Sequence, residues 1–546
     1  MKKYKRLKDP IYGYISIEDN VIYKLVDTPA FQRLRNIIQT SYSPLYSSAV
    51  HNRFVHSLGV YHLGGIVADT LKGHADDCGY ATYDLDRMLE LFTYACLLHD
   101  VGHAPYSHTG EVNYLTNGDR CFLHEKIIDL TGDDCLKNEI EEKNYKAAPH
   151  ELMSVIVSLN DFNFLFHSNE ERSFFARCIT GYSYVNDDEI HSFYNCLISL
   201  LNSTVIDVDK LDYLIRDAYI TGFDTVSIDY ERLLACIRIR KDISSEKFEV
   251  VFNKGAISVI ENVVYAHDAE RKWIQNHPSV LYEIYLLTSS IELLKETYNQ
   301  DLFSYNALSD VGVVISENFK VTYLCDADIL FLMKNLPKDT LSVVDEFFSR
   351  KDRRHPLWKS ESEYMTVFKP GCSEKTLEII DKELESLCKY LNFINNSSVV
   401  DEKALNACIS DIAATEKLIE TDTQNANKYK LTIPEKRKHR KWIEIFSTYA
   451  SNQGIPFDFL ILRTNQFNSG FAKEEFAKIR IDFPGLYCPP FESVTNVLRA
   501  EKSSRDKYFY IFYRRRKEDP QEENDTIDVK ELAILLGKEA IVEAYN

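Results

Sequence analysis

The sequence predicts a mainly α protein: a helical core followed by a mixed α/β C-terminal accessory region. Three observations carry that prediction. Apolar residues recur at helical spacing through most of the first 290 residues. Strand-like runs rich in β-branched and aromatic residues gather beyond residue 300, in VGVVIS (311–316), FDFLILR (457–463) and KYFYIFYRRR (507–516). At 546 residues, 45% of them hydrophobic, the chain exceeds what one ordinary core organises. The division expected is a helical domain over 1–300 and an α/β region over 301–546 with a regulatory or oligomerisation role.

Each element follows from local pattern. PAFQRLRNIIQT (29–40) places Phe31, Leu34, Ile37 and Ile38 on one helical stripe. HSLGVYHLGGIVADTLKG (56–73) continues with an apolar stripe and predicts a stop at Gly73, a C-cap residue. YDLDRMLELFTYACLLHD (83–100) reads as a third helix, with Asp84 or Asp86 as its N-cap. STVIDVDKLDYLIRDAYITG (203–222) is a fourth, ending at Gly222. KFEVVFNKGAISVIENVV (247–264) predicts a short hairpin leading into a helix. Farther on, SEKTLEIIDKELESLCKYL (373–391) is an amphipathic helix, and DRRHPLWKSESEY (352–364) and KEDPQEENDT (517–526) read as loops. No internal repeat or long low-complexity segment interrupts this order.

The net charge of −19 argues against broad electrostatic binding to nucleic acid. The basic run EKRKHRKW (435–442) is a minor candidate for such a patch, and a solvated helix face is its plainer reading. No apolar run reaches the roughly 18 residues of a membrane span. The basic start MKKYKRLKDPIYG lacks the apolar segment of a secretory signal. The 12 cysteines are scattered without a C-x-x-C, which excludes clustered zinc-finger spacing and suits free thiols in a cytoplasmic protein.

The stretch CLLHDVGHAPYSH (96–108) ends an apolar run in His99 and Asp100, with His103 and His108 close behind. Adjacent residues on a regular helix diverge by roughly 100°. His99 and Asp100 can therefore face one ion only at a helix end, which Gly102 supplies. HNRFVHSLGV (51–60) offers His56 and DVDKLDY (207–213) offers Asp209. Two imidazoles and two carboxylates suit manganese, iron or zinc better than calcium. A cation also removes the cost of burying unpaired carboxylates.

HNRFVHSLGV, LLHDVGHAPYSH and DVDKLDYLIRDAY resemble the HD-domain deoxynucleoside triphosphate triphosphohydrolases, and DPIYGYISI (9–17) with DTPAFQRLRNIIQ (27–39) resembles that family's N-terminal part. The resemblance implies a helical HD-domain core and a divalent metal (Mn, Fe, Mg or Zn) on His56, His99, Asp100 and Asp209. It gives His103 a place beside the phosphates and His108 an acid–base role. Glu111 stands where the family has aspartate. His150 in PHELMSV matches a further active-site histidine, with His124 in FLHEKI as its rival. Arg53 and Lys210 match phosphate-binding residues, and Arg271 in AHDAERKWIQNHPSV is the candidate for another. Tyr213 and Asp217, at i and i+4, match residues that hold the deoxyribose. Gln39 matches a substrate-contacting glutamine, although Thr40 replaces the usual leucine after it. A sugar-gating tyrosine has no clear counterpart. Asp27, Gln32 and Arg35 match residues that bind an activating nucleotide between subunits, with Lys8 in place of a frequent asparagine.

The activity so implied is hydrolysis of a dNTP to deoxynucleoside and inorganic triphosphate, in a homo-oligomer (dimer, tetramer or hexamer) with an activating nucleotide. The metal and Arg53 take the α-phosphate, and His108 or His150 protonates the departing sugar oxygen. Two alternatives stay open: an HD phosphohydrolase acting on a nucleoside monophosphate or signalling nucleotide, and a nucleotide sensor without catalysis.

Overall fold

A computed structural model describes residues 3–80, 84–115, 118–186, 188–204, 206–223, 227–242, 245–298, 301–336, 342–350, 353–368, 372–422, 425–464, 478–483, 488–496, 508–515 and 527–545. The chain is mainly α, with four small sheets among the described residues. It divides into two compact units. The first comprises Met1–Ile274, Glu283–Val344 and Asn468–Lys502; the second comprises Gln275–Tyr282, Asp345–Phe467 and Ser503–Asn546.

The first unit opens on an antiparallel hairpin, β1 (Tyr4–Asp9) with β2 (Gly13–Glu18), in register from Tyr4 opposite Glu18 to Asp9 opposite Gly13. The sequence pattern does not announce this hairpin. Only Ile15 and Ile17 of β2 enter the core, and β1 is largely exposed, so the alternation is faint. Its turn is closed by Asp9, whose Oδ1 accepts the amides of Ile11 (2.8 Å) and Tyr12 (3.0 Å).

The helix predicted over 29–40 is shorter. Thr28 caps a single α-turn at Pro29–Gln32, a 3₁₀ turn follows at Arg33–Asn36, and Ile37 is already extended. Tertiary bonds override the helical stripe here. Gln39 N donates to His51 O (3.0 Å), Arg53 N donates to Ile37 O (3.0 Å), and Ile38 bridges Asn52.

The helix α1 (Arg53–Cys78) is capped by Asn52, whose side chain accepts the Val55 amide (3.2 Å). It runs past Gly73, where the sequence predicts its end, and stops at Gly79. Gly79 has φ of +81°, and its amide donates to Ala75 O (3.0 Å), so the left-handed residue that ends the helix is here and not at Gly73. α2 (Leu85–Leu98) begins after Asp84 and buries Leu91, Phe92, Ala95, Cys96, Leu97 and Leu98. α3 (Pro149–Asp161) starts with proline at its first position, and Glu151 accepts the Ala148 amide (2.6 Å). α4 (Val208–Thr221) is capped by Asp207, which accepts the Lys210 amide (2.7 Å), and ends at Gly222 as the sequence predicts.

The hairpin expected within 247–264 lies farther upstream: β4 (Phe248–Asn253) pairs with β3 (Ile237–Lys241), the stretch after β4 turns directly into a helix at Ile257–Glu270, and the strand Arg480–Asp482 adds to β4 in parallel. A short ribbon, Val313–Ser316 with Phe319–Val321, leads into α5 (Asp326–Lys334) in the same unit.

The second unit is built from the helices Glu374–Asn395, Glu402–Thr421, Ala426–Gln453 and Val529–Tyr545 and a four-stranded antiparallel sheet. The sheet order is His355–Pro356, Phe509–Tyr513, Asp458–Arg463, Val399–Asp401. The stretch 352–364, read as a loop, therefore supplies an edge strand and the start of a helix at Glu361. Two apolar anchors fix it: Trp358 is buried with Nε1 donating to Phe509 O (2.9 Å), and Tyr364 stacks on Tyr508. The stretch 517–526 lies outside the described residues. The basic run 435–442 lies on the helix Ala426–Gln453. Its cations pair with acids of the same unit: Lys436 with Asp411, Arg437 with Glu416, Lys438 with Glu383 and Arg440 with Glu444. No helix among the described residues is long and apolar enough to cross a membrane.

Candidate active site

The first turn of α1, the segment that ends α2, and the N-terminal turns of α3 and α4 converge. Arg53 and His56 point inward from α1, both buried. His99 and Asp100 follow the last residue of α2, where the backbone tightens: Val101 N donates to Leu98 O (3.1 Å) and His103 N to Asp100 O (3.0 Å). Gly102 lies flat against α3. A Cβ there would sit 2.3 Å from Ser154 N and 2.4 Å from the Met153 carbonyl carbon, while Gly102 N donates to Ser154 Oγ (2.9 Å). Gly59 does the same for α4, since a Cβ there would fall 1.9 Å from Asp212 Oδ1. Two glycines thus set how closely the helices carrying the polar residues approach.

Of the four side chains proposed as metal ligands, His56, His99 and Asp209 bring one ligand-type atom each within 4.8 Å of one another, and Asp100 stands beside the two imidazoles. Nε2 of His56 and His99 are 3.3 Å apart, and Asp209 Oδ1 lies 2.9 Å from the first and 3.5 Å from the second. Asp100 brings Oδ2 to 3.6 Å from His56 Nε2 and Oδ1 to 3.5 Å from His99 Nε2. The remaining ring nitrogens are fixed from behind. His56 Nδ1 bonds Asp212 Oδ2 at 2.7 Å, and His99 Nδ1 lies 2.9 Å from Cys96 O. A histidine held by Nδ1 presents the Nε2 lone pair forward, as a metal ligand must. Burial would lower the His56 pKa, but the Asp209 and Asp212 carboxylates raise it to about 9, so an arriving cation displaces a proton. Burial would raise Asp100, but Arg53 and then His99 and His56 hold it well below the usual carboxylate range.

A second cluster adjoins the first. His103, His108, Glu111 and His150 bring one ligand-type atom each within 4.8 Å of one another. His103 is fully buried, stacked on His150 with ring centroids 4.1 Å apart, and its Nε2 is 3.5 Å from Asp100 Oδ1. Neither of its ring nitrogens has a hydrogen-bond partner among the described residues. Burial, then the charge of Arg53, lower its pKa well below the histidine norm. Glu111 lies between two imidazoles, bonding His150 Nδ1 with one oxygen and His108 Nδ1 (3.1 Å) with the other. Burial would lower His150, but the charge and hydrogen bond of Glu111 raise it to about 9. Burial would raise Glu111, but His150 and His108 hold it well below the usual range. His124, the rival of His150, instead bonds Tyr182 (2.9 Å).

Arg53 joins the clusters. Its Nη1 donates to Asp100 Oδ2 (2.8 Å), its Nε to Ser107 Oγ (2.9 Å) and its Nη2 to Gln39 O (3.2 Å), with His108 Nε2 3.4 Å away. Lys210 is held by Asp207 Oδ2 (2.6 Å) and Ser203 O (2.7 Å). Tyr213 is pushed well above its ordinary value by burial and then by Glu270, while Arg271 acts in the opposite sense. Asp217 bonds His51 Nε2 (2.7 Å) in a buried pair. Gln39 is buried, and its Oε1 has no partner among the described residues. Elsewhere on the unit, Gln32 bonds Val26 O (2.7 Å) and Arg35 (2.8 Å), and Arg35 lies over Phe54; Asp27 is exposed beside them.

Three residues of this network are not singled out by the sequence pattern: Asp212, His51 and Ser107. Asp212 could be found from its i+3 spacing to Asp209. His51 and Ser107 carry no such signal, because their partners are distant in the chain.

Residues 53–157 match the HD domain family model, and this segment, which carries His56, His99, Asp100, His103, His108, Glu111 and His150, is an HD domain. Over 320 residues the chain is 28% identical to an uncharacterized protein of Mycoplasma genitalium, covering 57% of this chain and 66% of that one. Over 248 residues it is 32% identical to deoxynucleoside triphosphate triphosphohydrolase SAMHD1 of Xenopus laevis, covering 43% of this chain and 37% of that one. These alignments span less than two thirds of either relative. A hypothetical protein of Aquifex aeolicus, solved by crystallography, shares the fold with a TM-score of 0.50 at 17% identity, over 94% of this chain and 96% of that one.

Proposed function

We propose that the protein is a divalent-metal-dependent phosphohydrolase that cleaves a dNTP to a deoxynucleoside and inorganic triphosphate. One observation carries the reading. A cluster of two imidazoles and the Asp209 carboxylate, flanked by Asp100, stands beside a His–Glu–His hydrogen-bonded chain, with a buried arginine between them. The similarity to a protein named as a dNTP triphosphohydrolase supports the choice of substrate.

His56, His99, Asp100 and Asp209 would hold the ion, and the mixed donor set suits manganese, iron or zinc. When bound, the ion supplies Lewis-acid polarisation at phosphorus. Arg53 is the donor for the α-phosphate; it is already buried and oriented by Asp100 and Ser107. Lys210 and Arg271 are the further phosphate contacts. Water adds its oxygen to the α-phosphorus and releases a proton to solvent, the bond from phosphorus to the sugar 5′ oxygen breaks, and that oxygen leaves with a proton. His150 is placed to give the proton, since Glu111 keeps it an imidazolium at neutral pH. His108, whose side chain is 64% exposed, bonds the other oxygen of the same carboxylate from the solvent side. His103, kept neutral by burial, has one ring N–H to donate beside the phosphates and one nitrogen that accepts.

The deoxyribose falls to Tyr213, Asp217 and the free carbonyl oxygen of Gln39. Asp27, Gln32 and Arg35 would form the site for an activating nucleotide in a homo-oligomer. The test is chromatography of each dNTP incubated with protein and manganese, alone and with each other nucleotide as activator. Deoxynucleoside and triphosphate in equal amounts are expected. Monophosphate with pyrophosphate, or hydrolysis only of a nucleoside monophosphate, overturns the substrate assignment. Nucleotide binding without any product overturns catalysis altogether.

A further inference from the structure

Asp326 opens α5, more than 200 residues from His99, His103 and His108 in sequence. An acid in the first turn of a helix ordinarily serves that helix's own amides. In α5 that task falls to Asp328, whose Oδ2 accepts the Cys325 amide (2.8 Å). The Asp326 carboxylate turns outward instead. Its Oδ1 accepts the amide of Tyr106 (2.7 Å) and its Oδ2 accepts the amide of Ile38 (2.8 Å).

Both amides belong to segments that build the site. Tyr106 and Ser107 have φ of +57° and +53°, two successive non-glycine residues in a region that L side chains rarely adopt. Such a turn persists only where its surroundings over-determine it. It delivers Ser107 Oγ to Arg53 Nε (2.9 Å) and to Ile38 O (2.5 Å), and it starts the short helix that carries His108 and Glu111. Ile38 precedes Gln39, whose carbonyl accepts from Arg53 (3.2 Å). The same loop is gripped from its other side by Arg33, which donates to Val101 O, His103 O and Leu324 O, each at 2.8 Å. Residues 324–326 are therefore joined to the histidine loop twice.

We propose that Asp326 is a positioning residue: by tying the amides of Ile38 and Tyr106 to one carboxylate, it holds Arg53, His103 and His108 in a single arrangement. The catalytic consequence rests on the phosphohydrolase reading above; the tie itself does not.

Asparagine keeps the shape of Asp326 but offers one accepting oxygen and faces the second amide with N–H groups. In Asp326→Asn, amide exchange in peptides spanning 36–40 and 104–110 should rise about 10-fold or more, as for loss of a hydrogen bond to a buried amide. Manganese bound per chain should match the parent protein. With a dNTP substrate, kcat should fall about 10-fold with KM changed less than about 3-fold, the pattern of a lost transition-state arrangement. Asp326→Ala should show the same split to a greater extent; if circular dichroism shows it unfolded, the asparagine variant decides.

Unchanged exchange in those peptides overturns the tie. Exchange that rises throughout the chain, manganese lost together with activity, or local loosening with full kcat overturns the positioning role. Should the parent protein hydrolyse none of the four dNTPs, the substrate reading has failed, and the tie is judged by exchange alone.

Discussion

Asp212 Oδ2 lies 2.7 Å from Nδ1 of His56, and the same carboxylate accepts Arg216 Nε (2.9 Å) and, through Oδ1, Tyr12 Oη (2.8 Å). Arg216 in turn reaches Asp9 in the turn of the β1–β2 hairpin (3.1 Å). One buried acid thereby orients a proposed metal ligand and ties the N-terminal hairpin to α4. Replacing such a supporting carboxylate typically weakens metal binding about 10–100-fold. Asp212→Asn should lower manganese affinity to that extent in equilibrium dialysis. Affinity equal to the parent would show that His56 needs no support from behind.

The Glu111–His150 pair sets a pH dependence. His150 is raised from 6.5 to about 9, so its share of the stability is complete below pH 6.5 and is lost as pH rises through about 9. Glu111 is lowered, so its share is present above pH 4.5 and is lost on acidification below that value. The pair therefore contributes most between those limits. In Glu111→Gln, NMR titration of the His150 ring should return its pKa toward 6.5, and the alkaline limb of the rate profile should move with it. A His150 value still near 9 would mean that other carboxylates hold its proton.

Gly102→Ala should be destabilising out of proportion to its size. The added methyl would lie 2.3 Å from Ser154 N, a backbone atom that cannot rotate aside. Overpacking of this kind costs about 1–3 kcal/mol, readable by urea denaturation. Because α3 carries His150, activity should fall further than stability alone explains. Parent-like stability and turnover would mean that α3 shifts freely against the histidine loop.

His51→Ala removes the partner of Asp217 in a buried pair. An unsatisfied buried acceptor costs about 1–3 kcal/mol, more if charged. If Asp217 grips the sugar, KM for a dNTP should rise in this variant, and His51→Gln, which can still donate, should recover part of it. A raised denaturation midpoint or an unchanged KM would separate His51 from substrate binding.

Much of the fold is legible because helices report themselves locally. α2 and α4 have dense apolar stripes, and Asp207 and Gly222 mark the ends of α4. Errors fall where distant partners decide. The helix expected over 29–40 breaks at Ile37 because Arg53, at the start of α1, donates to the Ile37 carbonyl and His51 O takes the Gln39 amide, and α1 ignores Gly73 because only Gly79 adopts the left-handed cap. The β1–β2 hairpin stays hidden because an edge with one exposed face leaves little hydrophobic contrast.

The sequence by itself determined the helical class and a set of histidines and carboxylates with ligand chemistry, because periodicity and residue type are properties of short segments. Which of them share a site was decided only in three dimensions. His150 rather than His124 joins the cluster, Asp212 and His51 stand behind their partners, and Asp326 reaches loops more than 200 residues away. A buried polar group takes whichever partner the packing of distant helices brings within bonding distance, and that packing here turns on glycines whose missing side chains no periodicity reveals.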